Sequence, residues 1–386
     1  MLYIYLTMTP INDPLIQKMI IRKNLSPSRI RSYEIILNGY CELTKLTPTE
    51  LIREAKEDQQ PYVGKNNQII FPSVDERKIT TYLYQYYSDL KQKNTAPASI
   101  QNYIAAIRAF YREYHIELPR NIEITIPKPI IREGDIPTID DIRLVVESTN
   151  NIKNKALILL MASSGMRKGD IVKFKVADFT AATKEYHNGD SVDDLLDGKY
   201  KDVIPSWYFT PSKTKKRGNV CITFNSPEAS EYIIRHLNSR DGVSESDPLF
   251  VTRRGPLTPG GLISTFKGLN DSLFGRKGNG DRFFKAHSLR KFFLSTFRKH
   301  SNNSFALKLF AGHSLPSKID NHYQELSTKD FKKVYLPILP FVSIRDTEVR
   351  VLEEDELNRL KQKIRSMELE QDKLRAELAT AQWAFK

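Results

Sequence analysis

The sequence predicts a mainly α-helical protein with one small β-hairpin, an α+β chain of two domains. Apolar residues recur at steps of three and four over much of the chain, which is the period of a helix. One stretch, residues 207–224, instead has two aromatic or alternating runs around a basic turn, as in a hairpin. At 386 residues the chain exceeds the size at which a single core usually suffices, which favours two domains.

Residues 15–118 are expected to form a helical domain. Helices are predicted from Ser26, from Pro48 after a Thr47 cap, over 75–93 and over 97–114. Residues 1–14 are expected to be loose, and the polar stretch 57–73 is expected to be a loop. The last of these helices has an apolar face of Ile and Tyr. Arg108 and Arg112 are predicted to lie outside that face, so they are candidate contacts to an anionic partner.

A linker over 119–137 is expected between this domain and a second one over 138–345. Four prolines in the linker fix φ and remove amide donors. The second domain is predicted to begin with a capped helix at Thr138, followed by an apolar helix that ends at Gly165. The polar stretch 181–206 is interpreted as an inserted loop. Further helices are expected over 227–239, 258–273, 287–300 and 303–312.

The final segment, residues 346–386, is predicted to be a coiled-coil helix. A heptad seam is formed by Leu357, Leu360, Ile364, Met367, Gln371, Leu374 and Leu378. Because about three heptads alone make a marginal helix, we expect the segment to pair with a copy of itself or with another protein. A single amphipathic helix lying on the body is the alternative.

The charge of the chain favours a polyanionic partner. The formal net charge is +13; residues 346–386 hold ten acidic and eight basic residues, which leaves 36 acidic and 51 basic residues in the rest. Such a basic body is typical of nucleic-acid-binding proteins, with a solvated Lys and Arg surface as the plain alternative.

Cys41 and Cys221 offer neither a disulfide framework nor zinc spacing, which favours a reducing interior of the cell. No apolar run approaches the roughly twenty residues of a membrane span, so we expect a cytoplasmic protein without membrane contact.

Three short motifs concentrate the side chains needed to attack a phosphodiester. HSLRKFF at 287–293, AGHS at 311–314 and NHYQEL at 321–326 supply two histidines, an arginine and a tyrosine, and SSGMRKGD adds Arg167 upstream. Preorganised cations stabilise charge on the non-bridging oxygens of the transition state, and Arg can bind them with two hydrogen bonds. A covalent route also needs a nucleophile, such as a phenol, and a proton donor for the leaving oxygen.

In these motifs the chain resembles the tyrosine recombinases, the phage-integrase family. LLMASSGMRKGDIVKFKVADF is similar to the family's first motif, which assigns the catalytic arginine to Arg167 and an acidic residue to Asp170. HSLR matches H-x-x-R with His287 and Arg290, and FAGHSLPS matches L-G-H-S with His313.

The resemblance also assigns a lysine and a nucleophile. PSKTKKRGNVCITF is similar to the hairpin with the catalytic lysine, for which Lys213 is the best match, with Lys215 and Lys216 as alternatives. Tyr323 follows the GH motif one residue later than is usual in the family, which an insertion of one residue would explain. Tyr335 is the rival nucleophile.

The resemblance implies a helical core-binding domain, a tyrosine-recombinase catalytic domain and strand cutting through a 3′-phosphotyrosyl link, without cofactor or metal. The implied roles are attack by Tyr323, phosphate binding by Arg167, Arg290 and His313, protonation of the 5′ oxygen by Lys213, proton transfer by His287 and orientation of the cations by Asp170.

The implied protein is an integrase of a virus or other mobile element in a prokaryotic host cell. It would act as a homotetramer on double-stranded attachment-site DNA, with Arg108, Arg112, Lys215 and Lys216 as further DNA-binding candidates. A type IB topoisomerase-like nicking and closing enzyme, and a DNA-binding protein without catalysis, are the alternatives.

Overall fold

The computed structural model describes residues 9–126, 134–187, 191–198, 200–215, 218–277, 280–313 and 327–345. Contacts divide the chain into two compact units, residues 1–130 and 131–386. Helices dominate both units, and the strands described are short antiparallel pairs. The predicted mainly helical class with a small hairpin is therefore confirmed. The predicted coiled-coil segment over 346–386 lies outside the described residues.

In its described residues, 9–126, the first unit contains five α-helices and one very short hairpin. The elements are α1 (Pro14–Arg22), α2 (Pro27–Thr44), α3 (Pro48–Glu57), β1 (Tyr62–Val63), β2 (Ile69–Ile70), α4 (Lys78–Gln92) and α5 (Pro97–Glu113). Four of these helices have proline in the first turn, where the missing amide donor would be unpaired in any case. Thr47 and Glu50 form the capping box of α3, which confirms the predicted start.

Two expectations about the secondary structure of this unit are wrong. Ordered structure begins before residue 14, with a 3₁₀ turn at Pro10–Asn12 that leads into α1. Asp13 caps α1 and accepts hydrogen bonds from both the amide and the hydroxyl of Thr49, which ties α1 to α3. This nine-residue helix depends on tertiary contacts that a local pattern does not contain. The predicted loop over 57–73 contains the hairpin of β1 and β2.

Arg108 is also placed differently from the prediction. Its side chain is buried, and its guanidinium donates to the carbonyl of Pro119 at 2.7 Å. The residues after α5 have no helix or strand partner for their carbonyls, so the arginine supplies one. The start of the predicted linker packs on this unit through partly buried Ile122 and Ile124. Arg112, by contrast, is exposed.

The described part of the second unit contains the remaining helices and two further hairpins. The helices are α6 (Ile139–Ser148), α7 (Ile152–Ser164), α8 (Lys168–Ile171), α9 (Val176–Ala182), α10 (Val192–Asp197), α11 (Pro227–Asn238), α12 (Pro259–Leu273), α13 (Ala286–His300), α14 (Ser304–Phe310), α15 (Thr328–Tyr335) and α16 (Leu339–Val342). The strands are β3 (Ser206–Phe209), β4 (Cys221–Phe224), β5 (Val251–Thr252) and β6 (Gly255–Pro256).

Helix α7 lies at the centre of this unit. Its residues from 156 to 164 are all buried, as expected for a helix that is apolar on every side. It packs against α11 and α13. Strands β3 and β4 pair antiparallel, with Trp207 opposite Thr223, and the hydroxyl of Thr223 donates to the carbonyl of Ser164 at 2.7 Å. The predicted hairpin is thus confirmed, and it is fixed to the end of α7.

The stretch 181–206 is not simply an inserted loop. It includes the end of α9, a 3₁₀ turn at Lys184–Tyr186 and α10, whose Val192 and Leu195 are buried. The hydroxyl of Tyr186 accepts a hydrogen bond from the amide of Ile204, which closes the base of the stretch. These short elements depend on partners distant in the sequence, which a local pattern does not contain. None of the helices in the described ranges is long and apolar enough to cross a membrane.

Candidate active site

Arg167 occupies the N-cap position between α7 and α8. The preceding turn depends on Gly165, which caps α7 with φ of +65°. A Cβ at this position would lie 2.3 Å from Cδ1 of Phe293 on α13. Glycine therefore lets the turn pass directly against α13, which brings the chain at Arg167 close to the helix that carries Arg290.

Arg290 connects two loops of the site through its buried guanidinium. Nη1 donates to the carbonyl of Gly165 at 2.5 Å, and Nη2 donates to the carbonyl of Ala311 at 2.7 Å. Nη2 also lies 3.2 Å from Nε2 of His313. Because a guanidinium only donates, Nε2 must be the acceptor and the ring of a neutral His313 carries its proton on Nδ1. Arg290 thus holds the turn before Arg167 and the loop of His313 together.

Gly312 brings the same loop against Arg167 and the hairpin. The residue has φ of +55°, and a Cβ there would lie 2.9 Å from Nη1 of Arg167 and 2.7 Å from Cγ of Pro211. The Cβ of Cys221 on β4 is 3.3 Å from the same point. Arg167, the hairpin and the residue before His313 therefore converge at one place.

Asp170 fixes the turn that follows β3. This carboxylate is buried, and its Oδ1 accepts a hydrogen bond from the amide of Ser212 at 2.8 Å. Lys173 supports the same turn by donating to the Ser212 hydroxyl at 3.0 Å. Lys213, the next residue, is exposed. The exposed Lys215 follows two residues later, and Lys216 lies outside the described residues.

His287 is exposed and lies three residues before Arg290, on the first turn of α13. Burial lowers the pKa of its ring, and the charges of Lys291, Arg290 and Lys168 lower it further. The ring therefore remains neutral to a lower pH than an ordinary histidine.

Burial and neighbouring charges shift the pKa values of the groups in this cluster. Burial lowers the pKa of the Arg290 guanidinium to about 10, and the Arg167 charge contributes to this shift. Burial also lowers the pKa of His313, with further lowering by Arg290 and Arg167. Burial raises the pKa of the Cys221 thiol to about 12, although both arginines act in the opposite direction. The cluster carries concentrated positive charge, and an anion bound there would relieve the repulsion.

Of the two candidate nucleophiles, Tyr335 lies within the described residues and Tyr323 does not. Tyr335, at the end of α15, is completely buried, and its hydroxyl donates to the carbonyl of Ser163 at 2.9 Å. Burial raises its pKa well above the ordinary value, and the charge of Glu228 raises it further.

The sequence did not reveal several residues that shape this cluster. Gly312, Ser212 and Cys221 act through backbone or close packing. Of these only Gly312 left a signal, as the glycine of the GH motif. The predicted residues that the structure brings together are Arg167, Asp170, Arg290, His313 and, through its turn, Lys213.

The helical domain and this cationic cluster agree with the integrase-type resemblance of the motifs. The phage integrase family model matches residues 135–330, half of the chain. The chain therefore belongs to the phage integrase family, as its motifs predicted.

Individual relatives are more distant. A provisionally assigned tyrosine recombinase of Caldanaerobacter subterraneus subsp. tengcongensis is 27% identical over 124 residues, which make up 30% of this chain and 41% of that protein. The chain thus spans about two fifths of the length of this curated relative.

Among solved structures, the Tn1549 transposon integrase in complex with circular intermediate DNA is 14% identical, with a TM-score of 0.50. The match covers 83% of this chain and 96% of that one. A lambda integrase dimer bound to a COC′ core site is also 14% identical, with a TM-score of 0.48, and the match covers 80% and 92% of the two chains. The Tn1549 match shows that the fold is shared.

Proposed function

We propose that this protein is a site-specific DNA recombinase that cuts and rejoins DNA strands through a covalent 3′-phosphotyrosyl intermediate. The observation that carries the proposal is the convergence of Arg167, Arg290 and the His313 loop around Gly312. Membership of the phage integrase family supports it. The relative with circular intermediate DNA shares the fold, which makes double-stranded DNA the natural substrate to test.

The cations of the site would bind the phosphate that is cut. Arg167 and His313 line the point where the loops meet, and the guanidinium of Arg290 lies beside them. In the transition state, charge grows on the non-bridging oxygens, and fixed donors stabilise it without reorganisation. The repulsion between Arg167 and Arg290 is then offset by the phosphate.

Tyr323 would be the nucleophile. Its phenolic oxygen forms a bond to phosphorus and the bond from phosphorus to the 5′ oxygen breaks, which leaves a 3′-phosphotyrosyl link and a free 5′ hydroxyl. Lys213 would protonate the departing 5′ oxygen, and His287 would accept the phenolic proton. Asp170 holds the turn of Lys213 through Ser212, and so would act by positioning it. The reverse reaction on a second strand completes the exchange, so the chemistry consumes no cofactor.

The test is a suicide duplex in which a nick beside the cleavage site lets a short strand diffuse away after attack. The wild-type protein should form a covalent adduct that resists denaturation. Tyr323→Phe should form none, whereas Tyr84→Phe, at an exposed tyrosine of α4, should react as the wild type does. Adduct formation by the Tyr323→Phe variant would refute this assignment. Absence of any adduct with the wild type on cognate duplex would favour a DNA-binding protein without catalysis.

We further propose that the enzyme acts as a tetramer on its attachment sites, within the cytoplasm of a prokaryotic cell that hosts a virus or other mobile element. Strand exchange between two duplexes requires four strand cuts, and one nucleophile per subunit then requires four subunits. Relaxation of supercoiled DNA without exchange between two sites would instead favour the topoisomerase-like alternative. Arg112 and Lys215 are exposed and remain candidate DNA contacts. Lys216 lies outside the described residues and remains a candidate on the sequence alone. Arg108 is a weaker candidate, because its side chain is buried.

The heptad seam over 346–386 is proposed to join copies of the chain. Removal of residues 347–386 should reduce the number of protein copies in the complex. Sedimentation of the protein on a duplex with one attachment site measures this number. Unchanged assembly and recombination would refute an essential role in pairing.

A further inference from the structure

A pocket of about 220 Å³ opens between α8, α12 and the start of α13, beside the candidate active site. We refer to it as the Lys267 pocket. Lys168 and Lys267 line its rim with His287, and Ile263 and Phe266 line its apolar part. No role assigned above uses Lys168, Lys267 or Ile263.

In the described part of the chain, the basic residues around the pocket fall into two groups, those paired with a carboxylate and those without such a partner. Arg282 is engaged by Asp271, with hydrogen bonds of 2.6 and 2.7 Å, and Lys285 is paired with Asp281 at 3.0 Å. Among the ion pairs within the described ranges, none involves Lys168 or Lys267. The start of α13, at Ala286 and His287 in the pocket wall, adds the positive end of a helix dipole. The uncompensated charge at the rim therefore favours an anion.

The apolar part of the pocket narrows the choice of anion. Phe266 stacks on the fully buried Phe284, with ring centroids 5.8 Å apart, so this wall belongs to the hydrophobic core. Ile263, which is 37% exposed, presents apolar surface to the pocket. An inorganic ion would leave this surface uncovered, whereas the C–H face of a deoxyribose would cover it. The volume is below the range of about 300–1,000 Å³ typical of small-molecule sites, so one sugar-phosphate fits better than a whole cofactor.

The position of the pocket relates it to the phosphate that is cut. Lys168 directly follows Arg167, and His287 lies one helical turn before Arg290. A DNA strand advances only about 3.4 Å along its axis per nucleotide, so a neighbouring sugar-phosphate of a strand bound at the two arginines would lie within reach of this rim.

We propose that the Lys267 pocket binds a sugar-phosphate near the cleaved one on the same DNA strand, with Lys168 and Lys267 on its phosphate and Ile263 against its deoxyribose. This inference rests on the proposed recombinase function, because it takes the strand from the active site. Its role is to set the register of the strand, so that the correct phosphate lies between Arg167 and Arg290.

The test is a double-mutant cycle that combines the substitution of one lysine with the neutralisation of one DNA phosphate. Equilibrium binding of the full-length protein is measured in the Tyr323→Phe background, with duplexes in which single phosphates near the cleavage site are replaced in turn by neutral methylphosphonate. Lys267→Met should weaken binding of the unmodified duplex about tenfold and reduce the dependence on salt by about one phosphate contact. At one methylphosphonate position the same substitution should have less than a twofold effect. Lys299→Met, at the exposed far end of α13, should weaken binding equally at every position or not at all.

Three outcomes would overturn the inference. If the Lys267→Met protein binds DNA as tightly as its parent, Lys267 does not contact the DNA. If the substitution weakens binding tenfold at every methylphosphonate position, the lysine acts without a particular partner phosphate. Protection from thermal unfolding by inorganic phosphate that depends on Lys267, without coupling to any DNA phosphate, would assign the pocket to a free anion. Lys168→Met repeats the cycle if Lys267→Met fails to fold. The readout is independent of cleavage, so absence of a covalent adduct with the wild type would refute the recombinase and not the subsite.

Discussion

Asp170 accepts a hydrogen bond from the backbone amide of Ser212 at 2.8 Å, and this contact joins α8 to the turn after β3. Arg167 precedes α8 and Lys213 follows Ser212, so a single hydrogen bond relates the positions of two proposed catalytic cations. The Asp170 carboxylate is buried, so it cannot readily exchange this bond for one to water.

The first prediction is that the hydrogen bond at Asp170 matters more than its charge. Asp170→Ala removes a hydrogen bond to a charged acceptor, worth about 1.5–3 kcal/mol, and should slow adduct formation by about tenfold to a hundredfold. Asp170→Asn keeps an oxygen acceptor and should lose less than tenfold. Single-turnover cleavage of the suicide duplex measures both rates. Equal losses in the two variants would show that the negative charge beside the arginines is the essential property.

The second prediction concerns the close approach at Gly312. In Gly312→Ala the new Cβ would meet Nη1 of Arg167 at 2.9 Å and Cγ of Pro211 at 2.7 Å, in a backbone conformation that costs a residue with a Cβ about 1–2 kcal/mol. We expect cleavage to fall about a hundredfold, because a displacement of Arg167 by about 1 Å is enough for such a loss. DNA affinity should change less than cleavage.

A matched substitution separates this local effect from a general loss of stability. Gly268→Ala, in α12, introduces a methyl group with no atom within 4 Å and should leave the melting temperature unchanged or slightly higher. If Gly312→Ala cleaves DNA at the wild-type rate, the proposed arrangement of Arg167 around Gly312 is not the catalytic one.

The third prediction is that Tyr335 is a structural residue. Its hydroxyl is fully buried and donates to Ser163, and burial raises its pKa well above the ordinary value, all of which disfavour attack on DNA. Tyr335→Phe should reduce the free energy of unfolding by about 0.5–1.5 kcal/mol and should still form the covalent adduct. Loss of the adduct in a variant that melts near the wild-type temperature would make Tyr335 the nucleophile.

The sequence predicted the long helices well because their signals are local. Thr47 and Thr138 each form the capping box that their spacing suggested, and Gly165 ends α7 in the left-handed conformation. Helix α1 and the elements between 181 and 206 were missed because their stability comes from distant partners. Asp13 needs Thr49, and Tyr186 needs the backbone of Ile204.

The site residues show the same limit. Motif spacing identified Arg167, Arg290 and His313 as candidate site residues, because the type of each side chain can be read from the sequence. It could not reveal that Arg290 uses two of its donors on the carbonyls of Gly165 and Ala311, since a carbonyl is present at every residue. For the same reason the helical period placed Arg108 outside the buried face, although the carbonyl of Pro119 holds it inside.

The last prediction concerns the pH dependence of stability. His236, on α11, is buried, and within the described part of the chain its Nε2 has no hydrogen-bond partner. Its ring stacks on Phe250, and burial, helped by the charges of Arg240 and Lys153, lowers its pKa to about 4. A histidine of the unfolded chain titrates near 6.5, so below that pH the unfolded state binds the proton first. The stability that the neutral ring allows is therefore fully present above pH 6.5 and is lost as the pH falls toward 4.

Between pH 7.5 and pH 5 this single group should lower the free energy of unfolding by about 2 kcal/mol, as urea titrations can measure. Fluorescence of the buried Trp207 reports on this unit once Trp383 is replaced by Phe. His236→Leu should remove this part of the pH dependence, because the unfolded and folded chains then bind equal numbers of protons at that position. His300→Leu, at an exposed histidine, should retain it. If the His236→Leu protein loses stability between these pH values as steeply as the wild type, another group controls the acid sensitivity of this unit.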